Sequence, residues 1–597
     1  MIDQKNLKKS PYGLSDFKQI RQGNYYYVDK TRFIRIIEDK GRYLYLIRPR
    51  RFGKSLLLSI MEEYYDIANK DRYDLLFNGT DIYQNPTPEK HSYLILTLNF
   101  SVVDADIHLV KKSFLTRIQN AAEVFVLKYG KLLNIDIETA INEFKSKESA
   151  SEVMDSFLKY CLNKERKIYV MIDEYDNFAN TILSEYGQEE FEKITHGTGF
   201  LRSFFNVLKA GTSNTDAPIS RIFMSGVSPI TMDDVTSGFN IGTNISLDAD
   251  VNEILGFTQM EVETMIEYYR QSGLIQHTTA ELIEIMSLWY NHYAFSIRVI
   301  NKVFNTDQVL YFLREYMKES LIPMNMVDRN ASIDYGKLRH LVIVDKQGTP
   351  TTNGNFSMLQ QVIETNTARA YIKESFPITR LADPENFYSL LFYFGLLTIT
   401  GTTPTGQATL AIPNEFVKRL YYDIIKETYE KTRNLKIEWG KYATLVEDMA
   451  LSGIWKPLVE YIAERMEAAL SLRDLLAGEK ALQVFWNVYL GLSTVYNVYS
   501  ERELNQGFSD LILIPILAQY PQLKYSYLLE LKYITPAKLE KEKTQTKIEA
   551  LRMEAENQLA HYSRDEKFQK TIQNTTLKKI ILIFSGNHLV YHGESAR

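Results

Sequence analysis

An α/β fold is predicted for both ends of this chain, with a largely helical stretch between them. Three observations carry that prediction. Tyr43 to Ile47 is an unbroken apolar run followed by a short loop, Gly53-Lys54-Ser55 and a helical pattern of Leu56, Leu57, Ile60 and Met61. Lys167 to Asp173 is a second buried strand pattern that ends in adjacent carboxylates. The last 150 or so residues read helix, three strands, helix, strand.

Composition sets the frame. A chain of 597 residues makes two to four domains, with 45% apolar and 24% charged residues as in ordinary soluble proteins. A net charge of -5 gives no global attraction to nucleic acid, so any such surface is local. The single cysteine, Cys161, excludes an intrachain disulfide and a multi-cysteine zinc site, and suits a reducing cytoplasm. Met1 to Ser10 is polar and lysine-rich, unlike a signal peptide, and Leu390 to Ile399 is too short to span a bilayer. The 40 tyrosines are spread along the chain and read as half-buried packing.

Taken in order, Ser15 or Asp16 can cap a first short helix, and Asp29 or Thr31 a second carrying Phe33, Ile36 and Ile37. This segment stands where a lid over a bound base would lie, with Tyr27 and Asp29 as candidates. Strand 43–47 then leads through Arg48 to Phe52 into Gly53-Lys54-Ser55, the chemistry of a phosphate-binding loop. Backbone N–H groups and the helix N-terminus face the anion, Lys54 neutralises β- and γ-phosphates, and the Ser55 hydroxyl holds Mg²⁺. The usual pattern has a glycine where Arg48 stands. Tyr93 to Phe100 is a further strand, and Val110 to Leu162 a helical stretch. Asp173 can then hold the Mg²⁺ shell and Glu174 can orient or deprotonate an attacking water. Arg221 to Pro229 is another buried strand, whose Ser225 or Ser228 can sense a γ-phosphate or simply cap the turn.

Residues 250–340 read as helical, with Thr258 and Glu261 spaced as a capping box. His292, inside the aromatic run Trp289 to Phe295, reads as packing. Val342 to Phe356 reads as a linker. A helix at 387–397, a turn at Gly401 to Gly406 between β-prone runs, and a helix from Ile412 suit a winged-helix-like module. Near the end, a helix at 479–492 precedes strands in which Gly507 permits a tight turn and Asp510 leads an apolar run. Glu530 and Lys532 share one face of the next strand, because side chains alternate with period two. Asp510 and Glu530 can bind Mg²⁺, with Lys532 placing water and Glu479 completing the shell. The same residues also read as a pair of charged strand residues facing solvent. A charged helix to Tyr562 and a final strand, Lys579 to Phe584, close the pattern.

These motifs resemble the bacterial proteins in which an AAA-ATPase-like domain is fused to a PD-(D/E)xK nuclease-like domain. The marks are Tyr27 to Thr31, Arg48 to Ser55, Ile172 to Asp176, Gly226 to Pro229 and Gly256 to Thr258; then Gly507 to Asp510, Glu530 to Lys532, and Ala555 to Gln558 with Tyr562. The resemblance implies a P-loop NTPase domain over 1–300, a helical and winged-helix-like connection over 301–450, and a restriction-endonuclease-like α/β domain over 451–597. It implies ATP and Mg²⁺ as cofactors. Arg50, Arg51, Phe52, Gly53, Lys54, Ser55 and Asp173 would hold the nucleotide, with Ser55 and Asp173 on its metal. Glu174 would be catalytic, as would Asp510, Glu530 and Lys532 in the nuclease part. There Asp510 and Glu530 would bind metal and Gln558 would assist. Arg48-Pro49 is typical of the family, whereas Phe508 stands where it usually carries Arg. The implied partner is nucleic acid, DNA above all, with no membrane and with homo-oligomers open; the implied biology is defence or mobile DNA. Two other readings stay open: a nucleotide-switched binding module with an inactive nuclease fold, and a structural partner with an inert ATPase.

Overall fold

The computed structural model describes residues 7–213, 216–230, 240–328, 330, 354–433, 435–469, 479–505, 507–535, 541–572 and 574–595. The chain divides into two compact units. One comprises Met1–Thr349 and Arg369–Asn414; the other comprises Pro350–Ala368 and Glu415–Arg597. The division at 414/415 falls inside the span 301–450 expected to connect the two ends.

The first unit is built on a five-stranded sheet. Its strands are β1 (Tyr43–Ile47), β2 (Tyr93–Asn99), β3 (Lys167–Asp173), β4 (Ile219–Gly226) and β5 (Thr243–Asn244), in the order β2-β3-β4-β1-β5. Every pairing is parallel. Burial on both faces explains the uninterrupted apolar runs: Leu44, Leu46 and Ile47 in β1 and Ile168 to Ile172 in β3 are all buried. Register brings the carboxyl ends level, with Ile47 opposite Gly226 and Asn99 opposite Asp173. β4 therefore lies between the strand that precedes the loop and the strand that carries the carboxylates.

Local chemistry sets most element ends. Asp16 caps the helix Phe17–Gln22 by accepting from the Gln19 N–H. Asp29 starts no helix itself; it accepts from the N–H groups of Thr31 and Asp81 and so holds two segments together. The helical stretch expected over 110–162 is three helices, Val110–Leu133, Ile137–Ser146 and Ala150–Cys161. Asn134 turns left-handed (φ 51°) to end the first, and Asp136 and Ser149 cap the others. Thr258 and Glu261 form the expected capping box on Gln259–Gln271. His292 is half-buried with φ 76°, and burial lowers its pKa. The helix Pro384–Tyr393 and the hairpin strands Thr398–Thr402 and Ala408–Ala411 follow, with Gly406 (φ 88°) in the hairpin turn. The helix Glu415–Arg433 belongs to the second unit, so the winged-helix-like module expected from sequence is divided between units. Residues 342–353 of the expected linker lie outside the described residues, and Gly354–Thr365 is a helix.

The second unit carries a mixed sheet of β6 (Tyr496–Leu504), β7 (Gly507–Pro515), β8 (Tyr525–Ile534), β9 (Thr576–Ser585) and β10 (His588–Glu594). β6, β7 and β8 pair antiparallel, β8 and β9 parallel, and β9 and β10 antiparallel. The helix Lys541–Tyr562 packs Ile548, Ala555, Leu559 and Tyr562 against Leu504, Ile512, Leu528, Ile581 and Ile583. β10 was not legible as a strand: it returns antiparallel beyond Gly586 (φ 61°), so the run 579–584 is not the last one. Among the described residues no helix is long and apolar enough to cross a membrane.

Candidate functional site

The loop after β1 turns left-handed twice, at Arg51 (φ 66°) and at Gly53 (φ 102°). The second turn is one that glycine adopts at little cost. Gly53 is then the cap of the helix Lys54–Tyr65, with no side chain over its first N–H groups. Those donors face a cavity of about 500 Å³ lined by Arg50 to Leu57 and by Glu174. Tyr26, Tyr27 and Val28 line the same cavity, and Asp29 does not. Leu57, Leu58, Ile60 and Met61 form the buried face of the helix, and Leu56, Leu57 and Ile60 line the cavity.

Three side chains meet across the strand ends. The Ser55 hydroxyl donates to Asp173 Oδ2 at 2.6 Å, and the Ser225 hydroxyl of β4 donates to Asp173 Oδ1 at 2.6 Å. A hydroxyl and a carboxylate at that separation are hard oxygen donors, which fit a divalent cation held directly or through water. Lys54 is buried, and its ammonium donates to the carbonyls of Arg48 and Pro49 at 3.0 and 2.9 Å. Burial lowers the Lys54 pKa, against the opposing charges of Glu174, Asp173 and Asp176. Glu174 stands in the left-handed region (φ 51°), a strain of about 1–3 kcal/mol that surrounding structure must hold. Burial raises its pKa, opposed by Lys54 and then Arg50. Asp176 is buried and accepts from the N–H groups of Val227 and Ser228 at 3.0 and 2.5 Å. The Ser228 hydroxyl caps the turn beyond β4 by accepting from the Ile230 N–H at 3.2 Å, so of the two serine hydroxyls it is that of Ser225 that reaches Asp173.

The remaining loop residues go to different places. Arg48 is fully buried and points away from the cavity. Its guanidinium donates to the carbonyls of Ser246 (2.7 Å) and Val251 (3.1 Å) and stacks 4.2 Å from the centre of the Phe295 ring. Phe52 packs edge-on against Tyr293 and Phe295. Arg51 pairs with Asp307 at 2.9 Å and Asp328 at 3.3 Å, and the Tyr12 hydroxyl donates to Asp328 at 2.6 Å. Arg50 donates to Asn177 Oδ1 at 3.0 Å. Sequence reasoning singled out none of Asp307, Asp328 or Asn177. The first two lie more than 250 positions from Arg51, and no local pattern marks them.

In the second unit, Leu511 pairs with Leu529, and one step further sets Asp510 opposite Glu530 on the same face. Asp510 Oδ2 accepts from the Leu531 N–H and Oδ1 from Gln483 Nε2, both at 2.6 Å. Lys532 Nζ lies 3.1 Å from Glu530 and 3.2 Å from Glu554. Burial opposes the lysine charge, yet Glu530 and Glu554 hold its pKa above the ordinary value. Gln558 and Tyr562 come from the same helix as Glu554. Gly507 serves a close approach and not a turn: a Cβ there would stand 2.5 Å from the Tyr562 ring, and Asn505 (φ 47°) takes the left-handed position instead. Phe508 is exposed. Gln483, four residues along the helix from Glu479, was not anticipated. The Glu479 side chain lies outside those described. Among the described residues no group of three or more His, Cys, Asp or Glu side chains is placed to hold a metal ion.

Comparison with known proteins agrees with this division. Residues 11–236 match the family described as "Predicted AAA-ATPase", and residues 477–594 match the PD-(D/E)XK nuclease superfamily. A protein of Azotobacter chroococcum mcd 1, described as an uncharacterized protein in the vnfD 5' region, is 26% identical over 328 residues. That match covers 54% of this chain and 56% of the relative, so the chain spans about half the length of the curated relative it matches. The chain thus joins an AAA-ATPase-like domain to a domain of the PD-(D/E)XK nuclease superfamily.

Proposed function

We propose that the first unit binds and hydrolyses ATP and that this cycle controls a Mg²⁺-dependent DNA endonuclease in the second. The observation that carries the ATPase half is the Ser55–Asp173–Ser225 cluster beside a buried Lys54 and a Glu174 of raised pKa. Ser55 and Asp173 would hold the metal at the nucleotide, and Asp510 with Glu530 the metal of the nuclease. Mg²⁺, when bound, neutralises phosphate charge at the first site and polarises the scissile phosphate at the second. The loop N–H groups bind the phosphates, and Lys54 leaves its two carbonyls for the β- and γ-oxygens. Glu174 takes a proton from the attacking water, a role that its raised pKa favours. Lys532 would orient water at the second site. A reducing cytoplasm and a role in defence or on mobile DNA fit the same reading.

The test is ATP turnover together with plasmid nicking. Lys54→Ala is expected to lose ATP binding; Glu174→Gln is expected to bind ATP and turn it over slowly. Asp510→Ala is expected to lose nicking in Mg²⁺ or Mn²⁺. Equal turnover by wild type and both ATPase variants would overturn the first half, and an inert wild type in the nicking assay the second. A second reading is a nucleotide-switched binding protein whose nuclease fold grips nucleic acid or protein. It is favoured by Asp510, whose two oxygens are already engaged by Gln483 and the Leu531 N–H.

A further inference from the structure

Glu174 keeps a left-handed backbone (φ 51°), which a residue other than glycine holds only where its neighbours impose it. Those neighbours act from both sides. Before it, Asp173 is fixed by the hydroxyls of Ser55 and Ser225. After it, the Tyr175 N–H donates to the Ser225 carbonyl at 3.2 Å, and the Tyr175 hydroxyl to the Ser228 carbonyl at 2.8 Å. Asp176 completes the clamp. It stands at the N-cap of the helix Asn177–Tyr186, where an aspartate ordinarily accepts from its own helix, yet its side chain makes no capping bond. The buried carboxylate reaches across to the turn beyond β4 instead. Its Oδ2 accepts from the N–H groups of Val227 (3.0 Å) and Ser228 (2.5 Å) and from Asn180 Nδ2 (2.9 Å). Gly226 makes the approach possible: a Cβ there would stand 2.8 Å from Asp176 Oδ1 and 2.2 Å from the Tyr175 ring.

Building on the ATPase reading, we propose that Asp176 is a positioning residue that acts through Glu174. By tying the turn 174–176 to the chain beyond β4, it holds Glu174 in the strained backbone from which that residue serves the attacking water. Asp173 does not depend on this anchor, because it has two hydroxyl donors of its own. Nor does the nucleotide, whose proposed contacts, the loop N–H groups and Lys54, belong to a different segment of chain. An amide in place of Asp176 offers the same three donors an oxygen of lower charge, and charge-assisted bonds are the stronger ones. The turn then relaxes, and Glu174 moves away from its working place. Displacement of a catalytic group by about 1 Å costs rate by up to about 10²-fold, while contacts made elsewhere go on holding the substrate.

The experiment is a double-mutant cycle in the full chain. For Asp176→Asn, kcat is expected to fall by about 10-fold to 10²-fold. Its affinity for ATPγS, and for Mn²⁺ with ATPγS bound, is expected to stay within about threefold of wild type. Added to Glu174→Gln, Asp176→Asn is expected to slow turnover no further, because two residues that act as a unit are not additive. Tyr175→Phe removes one bond of the same clamp and keeps the ring and Asp176, so it repeats the test with a milder change. It is expected to lower kcat by less, and again only where Glu174 is present. A further fall of the same size in the Glu174→Gln background overturns the proposal, since Asp176 then acts by another route. Weakening of ATPγS or Mn²⁺ in step with kcat overturns it by making Asp176 a general support of the fold. An active wild type with an equally active Asp176→Asn overturns this proposal alone. An inert wild type, or a Glu174→Gln as fast as wild type, overturns the ATPase reading beneath it.

Discussion

Replacing Arg48 by glycine restores the residue that usually opens a phosphate-binding loop, and the structure predicts that this repair does damage. The fully buried guanidinium satisfies the carbonyls of Ser246 and Val251 from about two hundred residues away and lies over the Phe295 ring. Burial pushes its pKa down to about 9, so it remains charged at neutral pH. Arg48→Gly leaves two buried acceptors unmet, at about 1–3 kcal/mol each. It also removes a desolvated cation–π contact of about 2 kcal/mol. Relief of the buried charge offsets part of this, and an unfilled cavity adds to it. A net loss of about 4–6 kcal/mol follows, at the upper end of single-residue effects. Differential scanning calorimetry of the full chain reads it as a fall of about 5–7 °C in the transition that ATP shifts. Arg48→Met fills the space without the donors and is expected to lose less. The reasoning is refuted if Arg48→Gly melts with wild type, or if it binds ATP more tightly.

Other expectations rest on single features. Glu174 has a raised folded pKa, so the folded state keeps a proton that the unfolded state has already lost. The stability tied to it is present below the unfolded value and lost as pH rises through the folded one. Glu174→Gln is therefore expected to melt higher than wild type at pH 7, with the advantage gone near pH 4; a pH series of melting curves reads this. By the same shift, the acid limb of kcat lies above the ordinary glutamate range. Gly507→Ala drives a methyl into the Tyr562 ring and is expected to cost about 1–3 kcal/mol in urea unfolding, with Tyr562→Leu in the same chain recovering part of it. Ser225→Ala frees one oxygen of Asp173; metal affinity with ATP bound is expected to fall about tenfold, read by Mn²⁺ titration, with no change in metal-free nucleotide binding. Saturating ATP at about 100 Kd is expected to stabilise one calorimetric transition by about 2.7 kcal/mol, an effect absent in Lys54→Ala.

Elements governed by neighbours in sequence were legible in it. The buried parallel strands, the Gly53 turn and the Thr258 capping box depend on local pattern, and each forms as the pattern predicts. So does the opposition of Asp510 and Glu530, which follows from strand alternation once the two strands pair. What was hidden depends on partners far along the chain. Arg48 reads as an oddity until its carbonyl acceptors beyond β5 are in view. The ion pairs of Arg51 with Asp307 and Asp328 are hidden in the same way, because both carboxylates arrive from another region. Gly507 looked like a turn residue because glycine most often is one, while the ring that demands it sits 55 positions away on a helix. β10 escaped notice because its alternation is broken by histidines and a glycine, and its pairing with β9 makes up for that.

The helix Gly354–Thr365 has a consequence for any attempt to take the protein apart. It belongs with residues 415–597, although unit-one chain both precedes and follows it, so the polypeptide crosses between units at 349/350, 368/369 and 414/415. Within the second unit, Gln360 donates to the Tyr429 hydroxyl at 3.0 Å, Phe356 meets the Tyr429 ring, and the Glu364 carbonyl accepts from Ser500 at 3.3 Å. A fragment beginning at Glu415 lacks those anchors and bares the apolar surface they cover. One protease nick therefore cannot release either half intact, and recombination at one junction cannot transplant the C-terminal half as a cassette.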